Sequence, residues 1–326
     1  MNILILSPGR RVEIVRFFRE ELNKSGGKVF TLDMSRYAPA LYFGDDHFCI
    51  HKDFSNLERY LEELIGICKT NEITAVLTLI DPELTLLSEY SDTFLAEGIL
   101  PIVSVKEAIE MTFDKYLFYQ KLKGRLPVLK TWNGLDELQK AFSEGRAEFP
   151  VLAKERCGSG SIGIRKISNE AELRLWEGVS GYIFQPFLEK KEYGADLYFD
   201  LKTGELSGCF IKEKLNMRYG ETDKAISVHS RGIKELLVKL EGFGFLGPVD
   251  VDVFEDREGK YWINEINPRF GGGYPHAYHC GVDFIRPLLY NVEGKTGFPI
   301  KDDYPDGITM MKYNNYLFME PGQDEG

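Results

Sequence analysis

The sequence predicts an α/β protein that begins with a doubly wound parallel sheet and continues into strands paired antiparallel. Up to Ser104, apolar runs typical of buried strands alternate with segments of helical periodicity. Further along, two pairs of strand-like segments flank short turns, as antiparallel hairpins do. The chain has 326 residues, which is enough for two or three packed subdomains with substantial cores.

The first sheet is predicted from four apolar runs and three helical stripes. The strands are expected at 2–6, 28–33, 73–80 and 100–104, and the helices at 14–22, 56–69 and 84–96. Arg10, Arg11 and the segment 81–83 lie at the carboxyl ends of strands, where open α/β sheets bind ligands, although structural loop roles explain them equally well. The first turn lacks G-x-G-x-x-G, which disfavours a nicotinamide site with Asp33 on the ribose.

The middle of the chain places a lysine at the end of a strand and a loop of glycines and serines just beyond it. Asp114 is expected to cap a helix that carries Lys115. The expected elements after it are a helix at 135–142, a strand at 150–154, the Gly/Ser loop at 158–163 and a return strand at 164–167. Free backbone N–H groups in such a loop suit phosphates, but G-x-x-x-x-G-K-[ST] is absent, so this is not a Walker A loop.

The later segments add strands, helices and one polar stretch. Strands are expected at 182–187, 196–200 and 207–212, and a closing pair of strands is expected within 307–318. Helices are expected at 230–241 and 283–290, and a further helix is expected to begin at a Ser168 cap and to end at 176. The segment 216–224 is charged and has no periodicity, so we expect a loop that contacts substrate or phosphate or is simply solvated. The tail 320–326 is expected to be frayed.

Residues 247–273 read as a hairpin that carries a metal site. Glu265 and Asn267 are two apart on the return strand and therefore project from the same face. If the hairpin pairs about its turn, Asp252 lies near Glu265. Two carboxylates and an amide oxygen suit Mg²⁺, with phosphate and water completing the shell, and Arg269 adds a planar cation. A charged hairpin that faces solvent is the alternative.

Composition disfavours several classes of protein. The net charge of −11, with no basic tract, argues against a nucleic-acid partner. The five scattered cysteines contain no C-x-x-C pair, so we expect reduced thiols rather than disulfides or a zinc site. No apolar run reaches about 18 residues and the first residues do not form a signal peptide, so a cytoplasmic protein without a membrane segment is expected.

In the order of its parts, the chain resembles the ATP-grasp superfamily. It is closest to one half of the carbamoyl-phosphate synthetase large chain and to stand-alone carboxylate–amine ligases, and E-I-N-P-R at 265–269 is the most specific string. The resemblance implies a pre-ATP-grasp α/β domain at 1–106 and an ATP-grasp domain at 107–326. In the latter, a small lobe at about 114–186 and a large lobe at about 187–326 clasp ATP.

The resemblance also assigns roles to individual positions. Asp252, Glu265 and Asn267 match the metal triad, and Arg269 matches the arginine that steadies the transferred phosphoryl group. The nucleotide-binding positions are Lys115 and Lys154 at the phosphates, Gly158, Ser159, Gly160 and Ser161 in the closing loop, Gln185, Pro186, Phe187 and Leu188 at the adenine, and Glu192 at the ribose. Gln185 departs from the glutamate of many members, but its amide oxygen still accepts from adenine N6.

Two further groups of residues are weaker candidates. Arg218, with Glu221 and Lys224, is a candidate contact for a substrate carboxylate or the γ-phosphate, because related ligases carry a loosely similar R-x-G-E string. His276 and His279 suggest a second metal site, with a pocket wall or satisfied surface histidines as the favoured alternative.

The implied activity is that of an ADP-forming ligase. ATP and Mg²⁺, or Mn²⁺ in its place, serve to convert a small-molecule carboxylate into an acylphosphate, which an amine or similar nucleophile then attacks. Arg269, Lys154 and Arg218 are the expected catalytic residues. The alternatives are a phosphotransferase acting on a small molecule and a non-catalytic regulatory protein that binds ATP. A homodimer through the first domain is common in the superfamily, and the sequence leaves the oligomeric state open.

Overall fold

The computed structural model describes residues 1–52, 57–158, 163–218 and 220–320, and its strands form three sheets. The first sheet is parallel and has the strand order β3-β2-β1-β4-β5. Its strands are β1 (Asn2–Leu6), β2 (Lys28–Asp33), β3 (Asp46–Cys49), β4 (Ile73–Thr78) and β5 (Leu100–Pro101). Its helices are α1 (Val12–Asn23), α2 (Leu57–Thr70), α3 (Asp81–Glu89), α4 (Ser91–Ala96) and α5 (Lys106–Phe113), with a 3-10 helix at Pro39–Phe43.

The first sheet and its helices differ from expectation in several places. β3 was not predicted, because the sequence Asp-His-Phe-Cys has no apolar run and forms a half-exposed edge strand. The single helix expected at 84–96 is two helices, and the first begins earlier because Pro82 fits the first helical turn. The last strand is shorter than expected and ends at Pro101.

The second sheet is antiparallel, with four strands in the order β6-β9-β7-β8. Its elements are α6 (Lys115–Leu122), β6 (Trp132–Asn133), α7 (Leu135–Ser143), β7 (Val151–Glu155), β8 (Arg165–Ile167), α8 (Glu170–Arg174) and β9 (Tyr182–Pro186). Asp114 caps α6 as predicted, since its carboxylate accepts from the N–H groups of Tyr116 and Leu117. The predicted Ser168 cap is wrong by one residue, because the side chain of Asn169 accepts from the Glu172 N–H and caps α8.

The third sheet is antiparallel, with six strands in the order β14-β13-β10-β11-β12-β15. Its elements are β10 (Lys190–Phe199), β11 (Leu206–Arg218), β12 (Glu221–Ser227), α9 (Arg231–Leu237), a 3-10 helix at Val238–Leu240, β13 (Gly247–Asp256), β14 (Tyr261–Asn267), α10 (Tyr274–His279), α11 (Ile285–Val292) and β15 (Thr309–Met311). Among the described residues, no helix combines the length and apolarity needed to cross a bilayer.

Two predictions about this sheet are wrong. The stretch 216–224 is not a loop, because β11 continues to Arg218 and β12 begins at Glu221. Cross-strand polar contacts support this hairpin, as the Asn216 amide donates to the Asp223 carboxylate at 3.3 Å. The closing pair expected at 307–318 is one strand, β15, which pairs with β12 instead of with a neighbour in sequence.

The alternation along β13 separates the core of the third sheet from a polar face. Val249, Val251 and Val253 are buried in a cluster with Ile233 and Leu236 of α9. Because successive side chains of a strand point to opposite faces, the acids between these valines project away from that core. Burial of the valines therefore determines that the acids of β13 lie on the opposite, polar face of the sheet.

Candidate active site

A cleft of about 500 Å³ takes its walls from all three sheets. The carboxyl edge of the first sheet contributes Arg11 and Asp81, and the second sheet contributes Lys154. The polar face of the third sheet supplies most of the remaining charged groups, which are Lys190, Glu192, Lys214, Glu221, Asp250, Asp252, Glu265 and Arg269. Cations and anions are thus interleaved in one cavity of the size typical for a small-molecule site.

The hairpin acids meet at the floor of this cleft. The register of β13 and β14 pairs Asp252 with Glu265 and Asp250 with Asn267. Burial, followed by the charge of Asp252, raises the pKa of Glu265. Burial also raises the pKa of Asp250 to about 6, with Asp252 as the next cause. Three carboxylates held this close destabilise one another until a cation offsets their charge.

A lysine partly offsets that charge in the protein itself. The Lys214 ammonium on β11 donates to Asp252 Oδ1 on β13, with β10 between the two strands. Next to it, the Lys212 ammonium donates to Asp196, and this pair is almost fully buried. Sequence reasoning missed Lys214, because its contact with Asp252 depends on which strands pair across the sheet. It did not single out Asp250, although this residue lies opposite Asn267 in the predicted hairpin.

The two predicted phosphate-binding lysines both reach the cleft. Lys115, at the start of α6, donates to the carbonyl oxygen of Gly158. Lys154, on β7, donates to Asn264 Oδ1 at 3.2 Å, so it faces the strand that carries Glu265. Burial, with Lys190 next, lowers the pKa of Lys154 to about 8. The other predicted loop positions, Ser159, Gly160 and Ser161, lie outside the described residues.

The predicted adenine-binding segment contains a buried acceptor. The Thr131 hydroxyl donates to the Leu129 carbonyl at 3.0 Å and accepts from Gln185 Nε2, also at 3.0 Å. This arrangement fixes the orientation of the amide. Gln185 Oε1 is then buried and has no hydrogen-bond partner within the described part of the chain.

The rest of this segment and the ribose position lie nearby along the chain. The Phe187 N–H donates to the Pro150 carbonyl at 3.1 Å, and the Lys166 ammonium lies 4.0 Å from the centre of the Phe187 ring. Pro186 ends β9, and Leu188 follows Phe187. In the described chain, Glu192 lines the cleft but residues 185–188 do not. Glu192 Oε1 is 3.0 Å from the Lys190 ammonium.

Arg269 is anchored by the first domain. Its Nε donates to Asp81 Oδ1 at 2.9 Å and its Nη2 to Asp81 Oδ2 at 3.4 Å, so the two planar groups face each other as a fork. Its Nη1 also lies 3.9 Å from Asp250 Oδ2. Asp81 begins α3 just after β4, at the strand end that sequence reasoning singled out.

A second charged group, which includes Arg11 and Glu221, also lines the cleft. The Arg11 guanidinium donates to the Leu79 carbonyl, and its Nη2 lies 3.6 Å from Glu221 Oε1. Glu221 Oε2 lies 3.0 Å from the ammonium of Lys312, which follows β15. Sequence reasoning missed Lys312, since β15 was expected to pair with a neighbouring strand.

The remaining candidates from the sequence do not line the cleft in the described chain. Arg218 and Lys224 are exposed and are not part of the cleft wall in the described chain, so a catalytic role for Arg218 stays a prediction. His276 is buried with its Nε2 2.9 Å from the Ile308 carbonyl, whereas His279 is exposed. No group of three His, Cys, Asp or Glu side chains with metal-binding geometry occurs in the described residues, and this holds for the hairpin acids as well as for the two histidines.

Two family models match the chain. The model described as "PylC-like, N-terminal domain" matches residues 3–102, and the model described as "ATP-grasp domain" matches residues 112–273. Among curated proteins, a urea amidolyase of Lachancea kluyveri is 24% identical over 229 residues, which are 62% of this chain and 12% of that protein. A D-alanine–D-alanine ligase of Stutzerimonas stutzeri is 26% identical over 134 residues, which are 36% of this chain and 43% of that protein. The chain therefore spans less than half the length of either relative.

Solved structures share the fold at low sequence identity. N5-carboxyaminoimidazole synthetase from Staphylococcus aureus, complexed with ADP, has a TM-score of 0.70 and 20% identity over 90% of this chain and 77% of that one. The biotin carboxylase domain dimer of Hydrogenobacter thermophilus 2-oxoglutarate carboxylase, with MgADP, ADP and bicarbonate, has a TM-score of 0.74 and 18% identity over 94% of this chain and 73% of that one. These structures confirm the fold class derived from the sequence. The family model over residues 112–273 confirms the resemblance to the ATP-grasp superfamily, and a homodimer stays a prediction.

Proposed function

We propose that this chain, an ATP-grasp protein with a PylC-like N-terminal domain, is a ligase that uses ATP to join a carboxylate to an amine or similar nucleophile, with release of ADP and phosphate. One observation carries the proposal. The acids Asp252 and Glu265 converge in the same cleft as the cations Lys154 and Arg269. That combination suits a triphosphate and an attacking anion, whose charges repel unless the site offsets both.

The nucleotide is assigned to the side of the cleft formed by the second sheet. Gln185 Oε1 is buried and has no partner among the described residues, so it is an acceptor that fits the exocyclic amino group of adenine. Glu192 is assigned to the ribose hydroxyls, and Lys115 and Lys154 to the phosphates. The backbone of residues 186–188 would read the remaining adenine edge, as the family resemblance implies.

The acids of the hairpin fit a divalent metal ion. Asp252, Glu265 and Asn267 offer hard oxygen donors. Burial, followed by the charge of Asp252, raises the pKa of Glu265, and a cation would favour its charged form. Mg²⁺ bound there would supply positive charge to the phosphate oxygens, and Mn²⁺ suits the same ligands. Without a metal ion, the Lys214 ammonium pairs with the Asp252 carboxylate.

The residues of the chain then have separable tasks. Lys154 and Arg269 offset the charge that gathers as the carboxylate oxygen attacks the γ-phosphorus and the bond to the β-phosphate oxygen breaks. Asp81 holds Arg269 in one orientation. The acylphosphate formed in this way hydrolyses in water, so the Gly-rich loop that starts at Gly158 is assigned the exclusion of solvent. The nucleophile displaces phosphate in the second half of the reaction.

The test is ADP release by the purified protein with MgATP and a panel of small carboxylates, alone and with amines. Hydroxylamine is included because it traps acylphosphates as hydroxamates. We expect hydroxamate formation that depends on one acid and is lost in Glu265→Gln. Glu258→Gln makes the same chemical change in the exposed turn of the same hairpin and serves as the matched control.

The other results separate the alternatives. ADP release on a phosphate acceptor, with no hydroxamate from any acid, indicates a phosphotransferase. Tight ATP binding without any turnover indicates a regulatory protein. Either result contradicts the ligase proposal.

A further inference from the structure

Gln185 needs a fixed orientation that a glutamate at the same position would not need. A carboxylate offers an acceptor oxygen whichever way it is turned, whereas an amide carries an acceptor on one side and a donor on the other. Gln185 can therefore present either group to a ligand. Its contacts within the protein decide which of the two groups it presents.

Two hydrogen bonds in series turn this amide in one direction. The Leu129 carbonyl oxygen can only accept, so the Thr131 hydroxyl donates to it, at 3.0 Å. The lone pairs of that hydroxyl remain free to accept, and they accept from Gln185 Nε2, also at 3.0 Å. Thr131 is 1% exposed and Gln185 is 7% exposed, so both lie largely out of contact with solvent. Turning the amide around would cost one of these two buried bonds.

The amide lies on the face of the second sheet that borders the cleft. Gln185 on β9 is paired with Leu152 on β7, and paired residues of an antiparallel sheet project from the same face. Leu152 and Lys154 are two residues apart on β7, and both line the cleft. Gln185 Oε1 has no partner within the described part of the chain, so a donor from a ligand would satisfy it.

Purines differ in the group that they present at position 6. Adenine has an amino group, which donates, whereas hypoxanthine and guanine have an oxygen, which only accepts. An amide oxygen that Thr131 keeps turned toward the ligand pairs with the amino group and faces the oxygen as a second acceptor. A residue that holds the amide in place therefore controls the choice of base without contacting the base.

We propose that Thr131 is the positioning residue through which this chain selects adenine nucleotides over 6-oxopurine nucleotides. Thr131 acts through Gln185, whose oxygen meets the base. This inference rests on the nucleotide assignment in the proposed function, and it names the residue that sets the base specificity of that site.

The test measures the binding of ADP and of inosine diphosphate (IDP), each with Mg²⁺, by titration calorimetry. Diphosphates report affinity without turnover. The quantity compared between variants is the Kd for IDP divided by the Kd for ADP. The two bases also differ by a proton on N1, but residue 131 does not alter that contribution, so it cancels when the ratios of two variants are compared.

We expect the ratio to fall by about tenfold or more in Thr131→Val, which corresponds to one buried hydrogen bond. The amide then loses the acceptor that fixes it, and its Nε2 can turn toward O6 of hypoxanthine. Thr131→Ala removes the same hydroxyl without a branched side chain and should give the same fall. Thr131→Ser keeps the hydroxyl and should keep the ratio of the wild type.

Thr31→Val is the matched control for the loss of a buried hydroxyl. Thr31 lies on β2 of the first sheet, and its hydroxyl donates to the Leu41 carbonyl at 2.6 Å. The thermal midpoint of this variant should fall as it does in Thr131→Val, whereas its ratio of dissociation constants should stay that of the wild type.

Gln185→Glu separates amide orientation from every other effect of Thr131. A carboxylate accepts in either orientation, so Thr131→Val should leave the ratio unchanged in this background. An equal fall with glutamine and with glutamate at position 185 would mean that Thr131 acts through packing, and this result would contradict the proposal.

The other outcomes separate this inference from the ligase function. If the wild type binds ADP and IDP equally, or if Thr131→Val and Thr131→Ala keep its ratio, the role of Thr131 is wrong and the ligase test is unaffected. If the ratio falls as expected but no acid yields a hydroxamate, the role of Thr131 stands and the ligase proposal fails. If neither nucleotide binds, the nucleotide assignment is wrong and this inference falls with it.

Discussion

Lys214 reaches Asp252 across a glycine. The two residues lie on β11 and β13, and the strand between them, β10, presents Gly194 opposite Lys212 on one side and opposite Asp252 on the other. A Cβ at Gly194 would lie 3.1 Å from the Cε atoms of both Lys212 and Lys214. Because Gly194 has no side chain, the Lys214 ammonium can pass over it and reach Asp252 in the cleft.

Gly194→Ala is therefore expected to impair catalysis more than folding. The added methyl group pushes both lysine stems aside, and displacements of this size at a reacting centre cost about tenfold or more in rate. The measurement is kcat/KM for MgATP together with the thermal midpoint. Gly66→Ala is the control, because Gly66 is exposed on α2 and a Cβ there meets no atom within 4 Å. Equal kcat/KM values in the two variants would show that the positions of Lys212 and Lys214 do not affect catalysis.

Lys154 is expected to make nucleotide binding sensitive to pH. Its pKa of about 8 in the folded protein means that its positive charge is present below pH 8 and is lost as the pH rises above that value. Because the phosphates need this charge, the affinity for ATP should be about tenfold weaker at pH 9 than at pH 7. Titration calorimetry over this range is the measurement.

Lys154→Arg supplies the control for this pH effect. Arginine keeps its charge throughout the range, so the dependence on pH should flatten in the variant. The lowered pKa of Lys154 has the opposite effect on folding stability, which increases with pH while ATP affinity decreases. Between pH 8 and the ordinary lysine pKa of 10.5, the unfolded chain holds a proton that folded Lys154 has released, so this group adds stability as the pH rises. A wild-type affinity that does not change with pH contradicts the assignment.

Asp81 is expected to act through Arg269. Asp81→Asn keeps the size of the side chain but removes the charge that orients the guanidinium, so we expect kcat to fall by about tenfold or more while the affinity for ATP changes little. The measurement is the split between kcat and the KM for ATP. Asp92→Asn, in the first turn of α4, is a matched change away from the cleft. If Asp81→Asn instead lowers ATP affinity at constant kcat, Asp81 does not position the group that meets the reacting phosphate.

The sequence predicts the local parts of this site and misses the parts that depend on distant pairing. The short turn predicts that Asp252 and Glu265 lie near each other, but their direct pairing also depends on a register shift between Asp252 and Val253 that the alternation does not indicate. Lys214 could not be placed beside Asp252, since their contact depends on two strands meeting on either side of Gly194. Lys312 reaches Glu221 because β15 pairs with β12, which no local pattern indicates.

The predicted boundary near residue 106 separates two sequence patterns, but the structure buries apolar side chains across it. Phe18 of α1 packs edge-on against Phe270, with ring centres 5.8 Å apart, and Phe17 stacks on Tyr278 at 3.8 Å. Phe18 and Phe270 belong to one buried cluster that also includes Ile3, Ile5, Phe284 and Leu288, and the partly buried Phe17 and Tyr278 pack against it. The first sheet therefore shares a core with the helices that follow the metal-site hairpin.

This shared core predicts how the protein unfolds. Phe18→Ala should destabilise the protein by about 3–5 kcal/mol, because it leaves a cavity at a place that neither side can fill alone. Since the cluster joins both sides, wild type and variant should each show one cooperative transition by calorimetry and circular dichroism. Phe318→Ala is the control, as Phe318 is 83% exposed and its loss should move the midpoint little. Two separate transitions, with only the first shifted by Phe18→Ala, would mean that the N-terminal domain folds independently of the cleft it helps to form.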